Sequence, residues 1–282
     1  MPCPVRRFVG VKALRRPPLT PANAPLVRPT GEGSETTQRS RTRRETTALL
    51  CALPALGLYD IAFHAHAPDP LPYLANGFAI DNSLTYVIPA GAPDAWRAKL
   101  TTARRGALKK AHAEAAAGGV RVEADVAMED VAPLFVATAR VKGYGMSGYA
   151  GQLPHWWRQV RSRQAGCLYA MTNERDERIG VTALVWDHHT AYYLGGGMKQ
   201  ELRDASRLNS LLFERMISDA HARGLDFDFE GSRIPGVERF FREWGGELRL
   251  TYRALKIPSP LIYAAWVTQR YFERNRSKIR GL

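Results

Sequence analysis

Leu225-Asp-Phe-Asp-Phe-Glu-Gly-Ser232 is the stretch on which the reading of this chain turns. Leu225, Phe227 and Phe229 alternate with Asp226, Asp228 and Glu230, the two-residue period of a strand. Same-face neighbours on a strand stand about 7 Å apart. Three carboxylates at that spacing on an inner strand cannot all be dry and unpaired, because desolvating each is costly. They must meet cations, water or a substrate. Residues 247–255 offer cations: Arg249 and Arg253 share one face, with Thr251 between them. An antiparallel pairing of the two strands would build a carboxylate–guanidinium ladder. The functional alternative has Asp228 or Glu230 orient an amine nucleophile or take its proton, with Gly231 and Ser232 opening the adjoining loop.

Working outward, Gly195-Gly-Gly197 follows a strand expected over 190–194. Glycine lets backbone approach a ligand, and the next helix, expected over 205–223, would aim its N-terminal amides at a phosphate. Ser206, Arg207 and Asn209 stand in its first turn. Its apolar face is Leu208, Leu211, Leu212, Met216, Ile217 and Ala220, and Gly224 stops it. Residues 235–244 read as a helix. Upstream, strands are expected over 120–126, 167–172 and 179–186, and helices over 129–142 and 153–164. The order β-α-α-β-β-β-α-β-α-β over 120–257 is an α/β (α+β) mixed sheet with helices on both faces.

The chain has 282 residues, enough for two domains at roughly 150 residues each. Hydrophobic residues are 45% and charged residues 24%, which argues against a disordered or fibrous chain. The net charge is +13 and the pI about 10.0, favouring an anionic partner: nucleic acid, a phosphorylated carrier or cofactor, or an acidic membrane surface. Cys3, Cys51 and Cys167 are few and far apart, so neither a disulfide framework nor a cysteine zinc site is expected, and a reducing cytoplasmic setting fits. No metal site is expected; the histidines lack ligand spacing, and His188-His189 falls in a turn. The longest apolar run, 48–58, is broken by Pro54 and falls short of the ~20 residues of a membrane span. Residues 1–47 hold seven prolines and ten Lys or Arg against three Glu; they read as an extended basic arm without helical or strand period. A short apolar helix is expected over 48–53, strands over 59–63 and 84–88, and one long helix over 94–117 capped by Asp94. Lys99, Arg104, Arg105, Lys109 and Lys110 make that helix basic, either to grip phosphate or to face water. A final amphipathic helix is expected over 260–278.

Ala191-Tyr-Tyr-Leu-Gly-Gly-Gly197, the helix after it, Phe227-Asp-Phe-Glu-Gly-Ser232, Pro235-Gly-Val-Glu-Arg-Phe-Phe-Arg242 and Gly245-Gly246 together resemble the C-terminal half of a GNAT-fold acyltransferase. Within that superfamily the pattern is similar to the Fem-like branch, kin to the peptidoglycan-bridge aminoacyltransferases. Arg15-Arg-Pro-Pro-Leu-Thr-Pro21, and Thr85-Tyr-Val-Ile88 with Trp96 and Arg104–Lys110, resemble parts of the first of the two GNAT-like domains in that branch. The resemblance implies one complete C-terminal GNAT domain over 123–258. Before it come an incomplete N-terminal GNAT-like domain over 48–122 and a remnant or arm over 1–47; a basic helix over 259–282 follows.

The implied activity is transfer of an acetyl, acyl or aminoacyl group from acyl-CoA or aminoacyl-tRNA to an amine, with an acyl carrier protein as a further donor and a cell-wall precursor as one acceptor. Glu230, Asp228 and Tyr193 are the implied catalytic residues. Gly197, Met198, Lys199, Arg203, Ser206, Arg207 and Asn209 would hold the donor; Ser232 and Tyr252 would meet the acceptor. The chain departs from the common GNAT pattern twice. The phosphate loop Gln200-Glu-Leu-Arg-Asp-Ala205 carries Arg203 where glycine is usual, and Phe241 stands where many members have a proton-donating tyrosine. Both features recur in the Fem-like branch. The alternative reading is a non-catalytic relative that binds RNA or an acidic membrane surface.

Overall fold

The computed structural model describes residues 5–268 except 9, 18, 28–30, 32, 66–68, 93, 142–146, 203–206 and 233. Its strands are β1 (Val5–Phe8), β2 (Val11–Leu14), β3 (Leu58–Ala62), β4 (Ala79–Ile88), β5 (Arg121–Ala124), β6 (Gly166–Thr172), β7 (Arg178–Trp186), β8 (Thr190–Met198), β9 (Asp226–Asp228) and β10 (Glu247–Lys256). The helices are α1 (Glu35–Cys51), α2 (Leu71–Ala75), α3 (Thr102–Ala117), α4 (Met128–Val141), α5 (Leu153–Ser162), α6 (Asn209–Ala222) and α7 (Pro235–Arg242), followed by α8 at residues 260–268. The chain forms two compact units, one of residues 1–83 with 250–282 and one of 84–249, and passes between them inside β4 and inside β10.

In the first unit β1 pairs antiparallel with β2, β2 parallel with β3, and β3 antiparallel with β10. Leu14, Leu50, Tyr59, Ile61, Phe63, Tyr73 and Phe78 build its core. Asp60 of β3 is buried and accepts two hydrogen bonds from Arg253, each 2.6 Å. The carboxylate in turn raises the Arg253 pKa. Asn23 ties the same strand, donating to Asp60 O and accepting from the Ala62 N–H. Residues 5–51 are thus not a featureless arm. Pro17, Pro21 and Pro25 fall between elements, and the Ser34 hydroxyl caps α1 by accepting the Thr37 N–H. Ion pairs Arg39–Glu35 and Arg41–Glu45 brace its exposed turns.

The second unit holds the expected α/β mixed sheet. β5, β6, β7 and β8 are antiparallel neighbours, β8 pairs parallel with β9, and β9 pairs antiparallel with β4. Tyr169 and Met171 of β6 join α3, α6 and α7 in one core; the alternate residues Leu168 and Ala170 are buried on the opposite face, where α5 and α4 pack against β6 and β7–β8 respectively. Every apolar α6 residue named above is buried. The helix expected over 94–117 is two elements. Asp94 has φ 62° and makes no side-chain cap; a 3-10 turn, Ala95–Lys99, precedes Thr101, whose hydroxyl caps α3. Arg104 leaves the basic face and is buried. It donates to Ser210 Oγ at 2.9 Å and Glu243 Oε2 at 2.7 Å, with its guanidinium 4.2 Å from the Phe240 ring centroid. Burial lowers its pKa and Glu243 opposes that. Lys99, Arg105, Lys109 and Lys110 remain exposed.

Removing one partner of a buried ion pair strands the other. Arg253→Met is expected to lower unfolding free energy by about 3 kcal/mol in urea titration, the low end because Arg15 stays 3.8 Å from Asp60. Adding Asp60→Asn should restore part of that loss.

Candidate active site

The site grows from a mismatch between two parallel strands. The β8–β9 register runs Thr190↔Asp226, Ala191↔Phe227 and Tyr192↔Asp228. The described pairing stops there, while β8 continues along β7 to Met198. Gly195-Gly-Gly197 therefore lies inside the strand and does not follow it, correcting the expected strand end at 194. Between Ala183 and Leu184 the β7–β8 register shifts: Leu184 faces Tyr193, Ala183 faces Gly195, and Leu194 is the extra residue of a bulge. A bulge removes one residue from the ladder and bends its strand. Gly195 (φ 137°) and Gly196 (φ 145°) take up the bend, and a Cβ on Gly196 would overlap the Val181 carbonyl. The C-terminal ends of parallel strands that part in this way are where open α/β sheets receive ligands.

β9 ends sooner than the expected 225–230. Asp228 is 3% exposed. Its Oδ1 accepts from the Thr85 hydroxyl on β4 and from the Glu230 N–H at 2.7 Å. The second bond is an Asx-type turn, which lifts Glu230 out of strand geometry into φ 59°, with Gly231 next at φ 63°. A Cβ on Gly231 would overlap the Leu84 carbonyl; glycine is what seats this turn against β4. Glu230 and Ser232 remain partly exposed, and Ser232 Oγ accepts the Ile234 N–H at 3.1 Å.

The expected carboxylate–arginine ladder forms only in part. Arg249 stands 3.7 Å from Asp226, whose Oδ1 also accepts the Ala90 N–H, but Arg253 belongs to Asp60. On the edge away from β8 the strand paired with β9 is β4, with Val87 opposite Asp228, and the side chain that meets Asp228 is Thr85. Thr85 went unnamed as a site residue, and one threonine in a strand carries no sequence signal of such a role.

On the opposite face of β8, Tyr193 packs on Phe213 (4.8 Å between centroids) and stands edge-on to Phe241 at 6.1 Å. Phe241 is buried between Phe213 and Phe229. A phenol therefore stands beside the phenylalanine that replaces the usual one. Tyr192 donates to Asp187 at 2.9 Å, and desolvation raises its pKa.

The donor candidates lie beyond β8. Met198 is buried, its sulfur packed against Gly180, so only its backbone can meet a ligand. Lys199 is half-exposed, 3.6 Å from Glu177. Arg203 and Ser206 lie outside the described residues. α6 starts at Asn209, later than the expected Ala205. Its Ser210 and Leu211 N–H groups donate to Arg207 O and Leu208 O, which narrows the supply of amides for a phosphate. Arg207 is exposed just before the helix. Tyr252 belongs to the first unit, edge-on to Phe63. Among the described residues no group of three His, Cys, Asp or Glu side chains is placed to hold a metal ion.

Gly196→Ala is expected to cost about 2–3 kcal/mol in thermal or urea unfolding, from positive φ and overlap with backbone. Gly106→Ala, in open space on α3, should be neutral or stabilising by up to about 1 kcal/mol.

The acetyltransferase (GNAT) domain profile matches residues 102–242, half of the 282-residue chain. No curated protein matches the chain. Among solved structures, FemX superposes with a TM-score of 0.60 at 13% identity, covering 88% of this chain and 82% of its own. A conserved protein of unknown function from Bacteroides thetaiotaomicron gives 0.51 at 8% identity, covering 79% and 76%. At such identities the likeness is one of fold. The chain belongs to the acetyltransferase (GNAT) domain family, with a fold of the Fem-like kind.

Proposed function

We propose that the chain transfers an acyl or aminoacyl group from an activated ester or thioester to an amine, and that the reaction takes place where β8 and β9 part. The observation that carries this reading is the end of the β8–β9 ladder at Tyr192 and Asp228 next to the bulge at Leu194. The amine attacks the donor carbonyl, whose oxygen becomes an oxyanion. The Leu194 N–H, taken out of the ladder by the bulge, is the donor proposed to meet that charge, worth about 3 kcal/mol. Glu230 takes the proton of the attacking amine, directly or through water. Asp228 acts through Glu230 by fixing its turn, and is a positioning residue. Tyr193 returns a proton to the leaving thiolate or ribose oxygen, the task that Phe241 cannot perform. Lys199 and Arg207, with Arg203, neutralise the donor's phosphates and Ser206 offers them a hydroxyl donor; CoA, an acyl carrier protein or a charged tRNA each supply such groups. Ser232 is the proposed contact of the amine acceptor, and a cell-wall precursor is one acceptor of the right chemistry.

We read residues 48–122 as an incomplete first GNAT-like domain that precedes the complete second in sequence, and the cytoplasm as the place of work. No described helix is long and apolar enough to cross a membrane.

A panel of acetyl-CoA, longer acyl-CoAs and charged tRNA against amine acceptors, read by acceptor modification, tests the reading. With whichever pair turns over, Glu230→Gln is expected to lower kcat by about a hundredfold or more with little change in donor affinity. Tyr193→Phe should lower kcat about tenfold or more with donor affinity retained. Turnover unchanged in both variants would refute the assignment.

A further inference from the structure

We propose that α8 binds the surface of an anionic lipid bilayer, lying in the interface with its outward apolar side chains in the lipid. The inference is independent of the transferase reading.

Residues 261–267 are Leu-Ile-Tyr-Ala-Ala-Trp-Val, and no charged residue stands between Lys256 and Arg270. One side of the helix is accounted for. Trp266 packs on Ala13 and Leu58, and the Ile262 side chain lies close to Gly57. The i, i+4 spacing of these two marks a single inward face. The other side carries Leu261 at 83% exposure and Val267 at 43%, while Tyr263 stands at the flank with its ring stacked on Trp266. A helix on the surface of a globular unit has a polar outer face; this one is apolar on both sides.

Charge selects the occupant. Downstream, the sequence has Arg270, Arg274, Arg276, Lys278 and Arg280 against Glu273 alone. Exposed apolar side chains next to a run of cations match a bilayer that offers acyl chains and anionic headgroups together. A second copy would bring a like-charged tail against this one, on a chain of net charge +13. RNA would engage the cations and leave Leu261 and Val267 without a role.

The test is co-sedimentation of the full chain with vesicles of phosphatidylcholine alone and of equal parts phosphatidylcholine and phosphatidylglycerol. Binding is expected to the mixed vesicles only and to weaken as salt is raised. Leu261→Asp with Val267→Asp should abolish it with the thermal midpoint retained; Leu261→Ser, milder, should weaken it. Neutralising Arg274, Arg276 and Lys278 to Gln should weaken it about a hundredfold, at about fivefold per cation. Equal binding to both vesicle types, or full binding by the Leu261→Asp, Val267→Asp variant, would overturn the proposal. So would a dimer in light scattering that this variant dissolves, or binding to RNA with none to vesicles.

Discussion

The second unit depends on a parallel pairing that is allowed to run for only three residues on each strand. Two parallel strands normally continue side by side for as long as their hydrogen bonds can be made. Here β8 is turned aside by an extra residue at Leu194 and two glycines with positive φ. On the other strand, Asp228 closes a turn with its own chain at Glu230 and binds Thr85 of β4. Each strand is held by its far neighbour, β7 for β8 and β4 for β9. The separation is therefore built into the sheet and needs no ligand to create it.

That constraint explains why the three carboxylates of 226–230 differ in character. Asp226 is shared between the Ala90 amide and Arg249. Asp228 is buried and spends its oxygen on the turn. Glu230, past the end of the strand, is left partly exposed at the end of β9. One alternating sequence thus supplies a structural tie within the fold, a clamp and a candidate base. The aromatic cluster of Tyr193, Phe213, Phe229, Phe241 and Trp244 fixes the backs of both strands, and Arg104 with Glu243 joins α3 to the end of α7 beside it.

Much of this was legible in the residues. The strand–helix–strand order of the second unit and the buried face of α6 follow from periodicity, and the family follows from the DFEGS and GG motifs taken together. What periodicity could not show were the events that break a period. The bulge at Leu194 is one residue in an otherwise regular strand, and the glycines after it read equally well as a strand exit. The turn at Glu230 ends an alternation that the sequence continues. The partner of β9 is chosen by a strand nearly 140 residues away, which local pattern cannot reveal, so Arg253 was matched with β9 while it belongs to Asp60. The helix and strands before residue 51 are obscured in the sequence by its prolines, of which Pro17, Pro21 and Pro25 sit between elements.

The most direct test of the central claim is backbone hydrogen exchange with and without a saturating donor, acyl-CoA or a non-hydrolysable charged-tRNA analogue. The account predicts new protection concentrated at Tyr193–Met198 and Glu230–Ser232, on the two strand ends that part. A donor that binds at full occupancy and protects other segments while leaving both of these unchanged would contradict it.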